Sequence, residues 1–175
     1  MSQHREPQWS EQRKERLCDQ GAAELLMPRS SFIPRLNGMG ISLETARSLS
    51  GIYQTSLLAT LVRMMQQGSG NSALIVWHHT LKPAEKKMND RYRNAEKKLR
   101  IWWRAHTQAW EGGYIPKHKS ISEDSQIFAV FATGYSYRGC EEIELGGNTI
   151  AARVEAMPMT IENQTCVLSL LHLDN

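Results

Sequence analysis

A catalytic zinc site built on one helix needs two imidazoles at i and i+4, with a glutamate between them to activate water. The six histidines are His4, His78, His79, His106, His118 and His172, and none stands in an HExxH pattern. His78 and His79 are adjacent at the end of an apolar run, so on a strand they point to opposite faces. That is poor geometry for joint ligation and reads as a polar strand end. His106 and His118 flank an aromatic loop and could meet His79 in space, although no spacing requires it. Cys18, Cys140 and Cys166 are scattered, form no CxxC pair and read as structural. There is no GxSxG elbow and no glycine-rich phosphate loop. Trp102, Trp103 and Trp110 lie near Arg100, Arg104, Lys117 and Lys119, a mixture able to stack on bases. The plainer reading makes Trp103 core and leaves Trp102 half exposed. Glu15 and Asp19 are four residues apart and share one helical face, next to an apolar stripe.

The elements that must carry these side chains follow from periodicity. A helix is expected from Ser10 to Met27, with Ser10 as N-cap, an apolar stripe of Leu17, Cys18, Gly21, Ala22, Leu25 and Leu26, and Pro28 as its stop. Its length suits a buried, supporting helix. Residues 29–41 read as loop from their Pro, Asn and Gly content. Ser42 caps a second helix with Leu43, Ala46 and Leu49 on one side, and Gly51 marks a turn. A third helix carries Leu57, Leu58, Leu61, Val62 and Met65 and ends at Gln67, before the turn GSGNS. Residues 42–65 loosely resemble a helix-turn-helix, but Gly51 comes five residues after Ala46, and a packed helix pair is the better reading. Ala73–Trp77 is a short strand. Residues 83–98 are nearly all polar and form an exposed loop or helical turn. Leu99–Arg104 alternates around Leu99, Ile101 and Trp103 as a strand with one buried face. Ser122 caps a helix with Ile127, Val130 and Phe131 inward and Gly134 at its end. Glu141–Leu145 and Asn148–Met157 form a hairpin around Gly146-Gly147, and Cys166–Leu173 is the last strand. The fold class is α+β: a helical N-terminal third, residues 1–70, followed by a mixed, mainly antiparallel unit, residues 71–175.

The string ERLCDQGAAELLMP, residues 15–28, resembles the helix that supplies the third metal ligand in the ImmA/IrrE family of zinc metallopeptidases. Glu15, Cys18, Asp19, Ala22, Ala23, Leu25, Leu26, Met27 and Pro28 fall on the family pattern, and Gly21 stands where the family usually has Phe. The paired helices at 42–67, the strand near residue 76 and an IP-x-x-x-S-I stretch in the tail are also similar to the family's downstream region. The resemblance implies that Glu15 is a carboxylate zinc ligand and that Asp19 is its neighbour orienting a ligand histidine. It implies a zinc peptidase that cleaves helix-turn-helix repressors or other regulators in phage, mobile-element and stress responses. The catalytic HExxH helix is missing here. One carboxylate alone cannot hold a catalytic zinc, so zinc belongs to the intact parent and no cofactor is expected in this chain alone. A shortened coding sequence or a stand-alone pseudoenzyme accounts for the gap. The remnant is then residues 1–70, and residues 71–175 are a sensor or partner-binding unit.

Composition sets the outer limits. The chain has 175 residues with 41% hydrophobic and 22% charged side chains, which excludes disorder as its main state. No apolar run is long enough to cross a bilayer, so no membrane partner is expected. The polar first twenty residues do not read as a signal peptide, and the expected compartment is the cytoplasm. Charge is uneven: +2 over residues 1–70, +7 over 71–119 and −6 over 120–175. The basic middle opens an alternative function, a non-enzymatic module that docks DNA or a transcriptional regulator through residues 82–119, with Lys97, Lys98 and Arg100 as contacts. No nucleic-acid-binding signature accompanies the patch.

Overall fold

The computed structural model describes residues 11–88, 96–161 and 163–174. Four helices come first: α1 (Glu11–Leu26), α2 (Arg29–Met39), α3 (Leu43–Tyr53) and α4 (Leu57–Gln67). Then follow β1 (Ser72–Thr80), α5 (Pro83–Met88), β2 (Lys98–His106), α6 (Gln126–Thr133), β3 (Tyr137–Leu145), β4 (Asn148–Ile161) and β5 (Gln164–His172). The strands form one sheet in the order β2-β1-β5-β4-β3. Every neighbouring pair is antiparallel. The architecture is α+β, helices first and an antiparallel sheet after them.

The sheet is covered on both faces, which explains why β1 and β5 carry apolar side chains on both sides, in Ala73–Trp77 and in Cys166–Leu171 apart from Ser169. Ala73, Ile75, Trp77, Val167 and Leu171 face α6 and pack with Ile127 and Val130. Leu74, Leu168 and Leu170 face the other way, onto Phe32, Leu36, Leu49, Leu61 and Met64 of α2–α4. Trp77 is fully buried, and its indole N–H donates to Ser169 Oγ at 2.8 Å. The N-terminal helices and the sheet thus share one of the two cores.

Several local expectations hold for their stated reasons. Ser42 accepts from the Thr45 N–H at 3.0 Å as the cap of α3. Gly134 closes α6 in the left-handed region at φ 75°. Gly146 and Gly147, at φ 59° and 93°, make the two-residue turn between β3 and β4.

Others are corrected. Residues 29–39 are helical despite Pro34, because the helix buries Phe32 and Leu36 against α4. Gly51 lies inside α3, which runs on to Tyr53 and ends at Gln54 in the left-handed region at φ 51°. Ser125, not Ser122, caps α6 by accepting from the Ile127 N–H at 3.1 Å. In β2 the alternation breaks at Trp102. Val76 pairs with Trp103 while Trp77 pairs with Ile101, so Trp102 is the extra residue of a bulge. Leu99 and Ile101 therefore face α6, and Trp103 crosses to the side of α3 and α4. The Ser10 cap and residues 89–95 of the polar stretch lie outside the described residues.

Candidate functional site

The chemistry expected from the sequence lies on α1. Glu15 and Asp19 are both exposed. The apolar stripe beside them is exposed as well: Leu17 by 42%, Leu25 by 84% and Leu26 by 57%. Only past the helix end does Met27 become buried. The expectation of a buried helix is therefore corrected: α1 is held at its C-terminal end and open along its apolar side. Among the described residues, no group of three or more His, Cys, Asp or Glu side chains is placed to hold a metal ion. Two carboxylates on an open helix do not supply a zinc coordination sphere.

The hold on α1 is a buried cation. Arg63 of α4 is 3% exposed and donates through Nη2 to Glu24 Oε2 at 2.5 Å and to the Met27 carbonyl at 2.9 Å. Glu24 also accepts from the Arg29 N–H at 3.0 Å. The Arg29 backbone N–H, and next the Arg63 guanidinium, hold its carboxyl below the usual carboxylate range. Between α1 and α4 runs a cleft of about 710 Å³ with an apolar floor of Ala23, Leu26, Met27, Ala59 and Val62. Asp19 stands on its rim, and Arg63 Nε lies buried at its base without a hydrogen-bond partner among the described residues.

The histidines do not converge. His78 contacts the Trp102 ring at 6.0 Å, while His79 contacts the Phe131 ring at 4.9 Å on the α6 side. His106 pairs with Ala73 and His79 with Leu99, at opposite ends of β1. In the basic segment Arg100, Arg104 and Lys119 are engaged, whereas Lys97 and Lys98 are exposed. Arg100 is 3% exposed and bonds the Thr80 and His118 carbonyls and Glu85, so it is not available as a DNA contact. Arg104 donates to the Ile115 carbonyl and lies over the Tyr114 ring, and Lys119 pairs with Glu144 at 2.6 Å. Trp102 is 40% exposed and Trp103 half-buried. Cys166 is buried, which pushes its thiol up, whereas Cys18 and Cys140 are exposed and unpaired with each other.

A second polar centre was not read from the sequence. On the helix-facing side of the sheet, Ser72, His172 and Arg153 form one cross-strand row, with Glu155 in the next. Ser72, His172 and Glu155 are 2%, 5% and 5% exposed. Ser72 Oγ and His172 Nδ1 are 2.9 Å apart, and His172 Nε2 lies 3.8 Å from Glu155 Oε1. Glu155 Oε2 accepts from the Leu43 N–H at 2.9 Å, at the start of α3. The carboxylate beside Nε2 favours the tautomer protonated there, in which Nδ1 accepts from the Ser72 hydroxyl. Burial holds the His172 imidazole below its ordinary value, and Arg153 adds to the effect. The chain Ser72–His172–Glu155 joins residues 100 apart and a strand between them; no local pattern announces it. The row ends at a cleft of about 460 Å³ between the end of α2, the 68–72 turn and the end of β5.

No family model and no curated protein matches the chain. Among solved structures, one titled "Methyl-accepting Chemotaxis protein X" is similar at 14% identity and a TM-score of 0.35. The similarity covers 92% of this chain and 64% of that one, so the chain spans less than two thirds of that protein's length. No helix among the described residues is long and apolar enough to cross a membrane.

Proposed function

We propose that this chain corresponds to the distal part of an ImmA/IrrE-like zinc metallo-endopeptidase, from the third-ligand helix onward, followed by a sensor or partner-binding sheet. The observation that carries the reading is α1 itself. Glu15 and Asp19 stand on an exposed helix whose Leu17, Leu25 and Leu26 are exposed too. That face suits packing against a helix that brings two histidines to Glu15. Without such a helix the chain holds no catalytic zinc and cleaves no peptide bond. The substrate or partner of the intact peptidase is a helix-turn-helix regulator.

Zinc titration of the purified chain tests this directly. The expected result is no tight stoichiometric binding and no cleavage of a regulator; one zinc bound tightly with cleavage would overturn it. The intact mass of the native protein, read against the DNA upstream of Met1, gives the companion test. An HExxH encoded upstream, with a mass above 19.9 kDa, makes Glu15 a working ligand. A mass of 19.9 kDa makes this a short form acting by binding alone. Steeply salt-dependent DNA binding, unaffected by substitutions in α1, would favour the docking module instead.

A further inference from the structure

We propose that the cleft between the end of α2, the 68–72 turn and the end of β5 binds a small zwitterion, its carboxylate on Arg153 and its ammonium on Asp174. Arg153 lies directly across from His172, and Asp174 follows two residues later, beyond the end of β5. Both line the cleft and both are exposed. Among the described residues neither enters a salt bridge, with the other or with a third group. Opposite charges that line one cleft without pairing fit a ligand that carries both signs. A lone anion on Arg153 meets the Asp174 carboxylate, and a lone cation on Asp174 meets the guanidinium.

Hydrogen bonds fix the walls of the cleft. The Leu173 N–H donates to the Asn71 carbonyl at 3.0 Å and Thr107 Oγ1 to the Gly70 carbonyl at 2.6 Å, which fix the turn against the ends of β5 and β2 respectively. The opposite wall ends at Gly40, whose φ of 76° and ψ of 174° suit glycine alone, and whose N–H closes α2 on the Leu36 carbonyl. At the base lies His172, 5% exposed, with Nε2 lacking a hydrogen-bond partner among the described residues. Arg153 and Asp174 both act on that imidazole, with opposite sign. A ligand that engages them alters the surroundings of His172, and through Glu155 it reaches the start of α3. A volume of about 460 Å³ exceeds the share of one liquid water, about 30 Å³, many times over.

The test is an amide-shift titration of the full chain with glycine, β-alanine and γ-aminobutyrate, whose two charges lie successively further apart. Butyrate and butylamine are the single-charge comparisons. Expected are saturable shifts from at least one zwitterion, confined to Gly40, the 68–72 turn and His172–Asp174. The single-charge probes bind that cleft at least tenfold more weakly. Arg153→Gln and Asp174→Asn each weaken the zwitterion at least tenfold. Both side chains are exposed, and the unshifted remainder of the spectrum reports that each variant is folded. No saturable shifts, shifts elsewhere, equal binding of butyrate or butylamine, or unchanged affinity in either variant would overturn the proposal. Zinc enters none of these measurements, so their outcome is separate from the fate of the metallopeptidase reading.

Discussion

At the scale of single residues, His172 makes the strongest statement, because it is a titratable group inside a core. Its Nδ1 is bonded to Ser72 and its Nε2 faces Glu155 without a hydrogen bond. Burial, then Arg153, lowers its pKa from the ordinary value of 6.5. The sign of the stability effect follows. Above pH 6.5 the imidazole is neutral in both folded and unfolded chains and contributes no slope. As pH falls below 6.5 the unfolded chain takes up a proton that the folded chain refuses, so stability drops until the folded value is reached. One proton limits that slope to about 1.4 kcal/mol per pH unit. Denaturant unfolding at pH 7.5, 6.5 and 5.5 should show the loss confined to the lower interval. In His172→Asn, whose amide retains a partner for Ser72, that share of the slope should vanish. An unchanged slope in the variant would assign the acid sensitivity to other groups.

At the scale of elements, α1 depends on one contact set at its end. Arg63 is buried and Glu24 half exposed, so removing the two partners has unequal results. Glu24→Gln keeps a neutral acceptor and should cost the less of the two. Arg63→Met also removes the donor to the Met27 carbonyl and should cost more, about 2–3 kcal/mol. In hydrogen exchange both variants should lose protection in residues 17–27 while β1 and β5 keep theirs; loss spread evenly over the sheet would contradict a local tether. The same contrast between local and distant contacts decides what the sequence made legible. The Ser42 cap, α4 and the glycine hairpin rest on residues a few positions apart, and each was readable. α2 was not, because Pro34 argues against a helix while the burial of Phe32 and Leu36, a tertiary effect, argues for it. The bulge at Trp102 was hidden because an alternating pattern of Leu99, Ile101 and Trp103 is intact in the sequence and broken only by the partner strand. Glu15 and Asp19 were readable as a shared helical face. The polar row of Ser72, Glu155 and His172 was not, since sheet order alone brings it together.

At the scale of the whole molecule, the two faces of the sheet are covered and, among the described residues, α1 carries an open apolar stripe. Leu25 and Leu26 are 84% and 57% exposed, and Leu26 borders the cleft toward α4. Two copies meeting through these four leucines would bury them at ~2 kcal/mol each, about 8 kcal/mol in all. That is of the same order as the cost of associating two bodies, about 4–15 kcal/mol. Self-association should therefore be weak and dependent on concentration, not obligate. Sedimentation velocity over a wide concentration series should show the average mass rising from monomer toward dimer. Leu25→Glu should hold the protein monomeric at every concentration without loss of thermal stability, since that side chain makes little contact within its own chain. A wild-type chain that stays monodisperse and monomeric at the highest concentration would mean that the hydrophobic face of α1 does not drive assembly. Association that persists in Leu25→Glu would place the contact elsewhere on the surface.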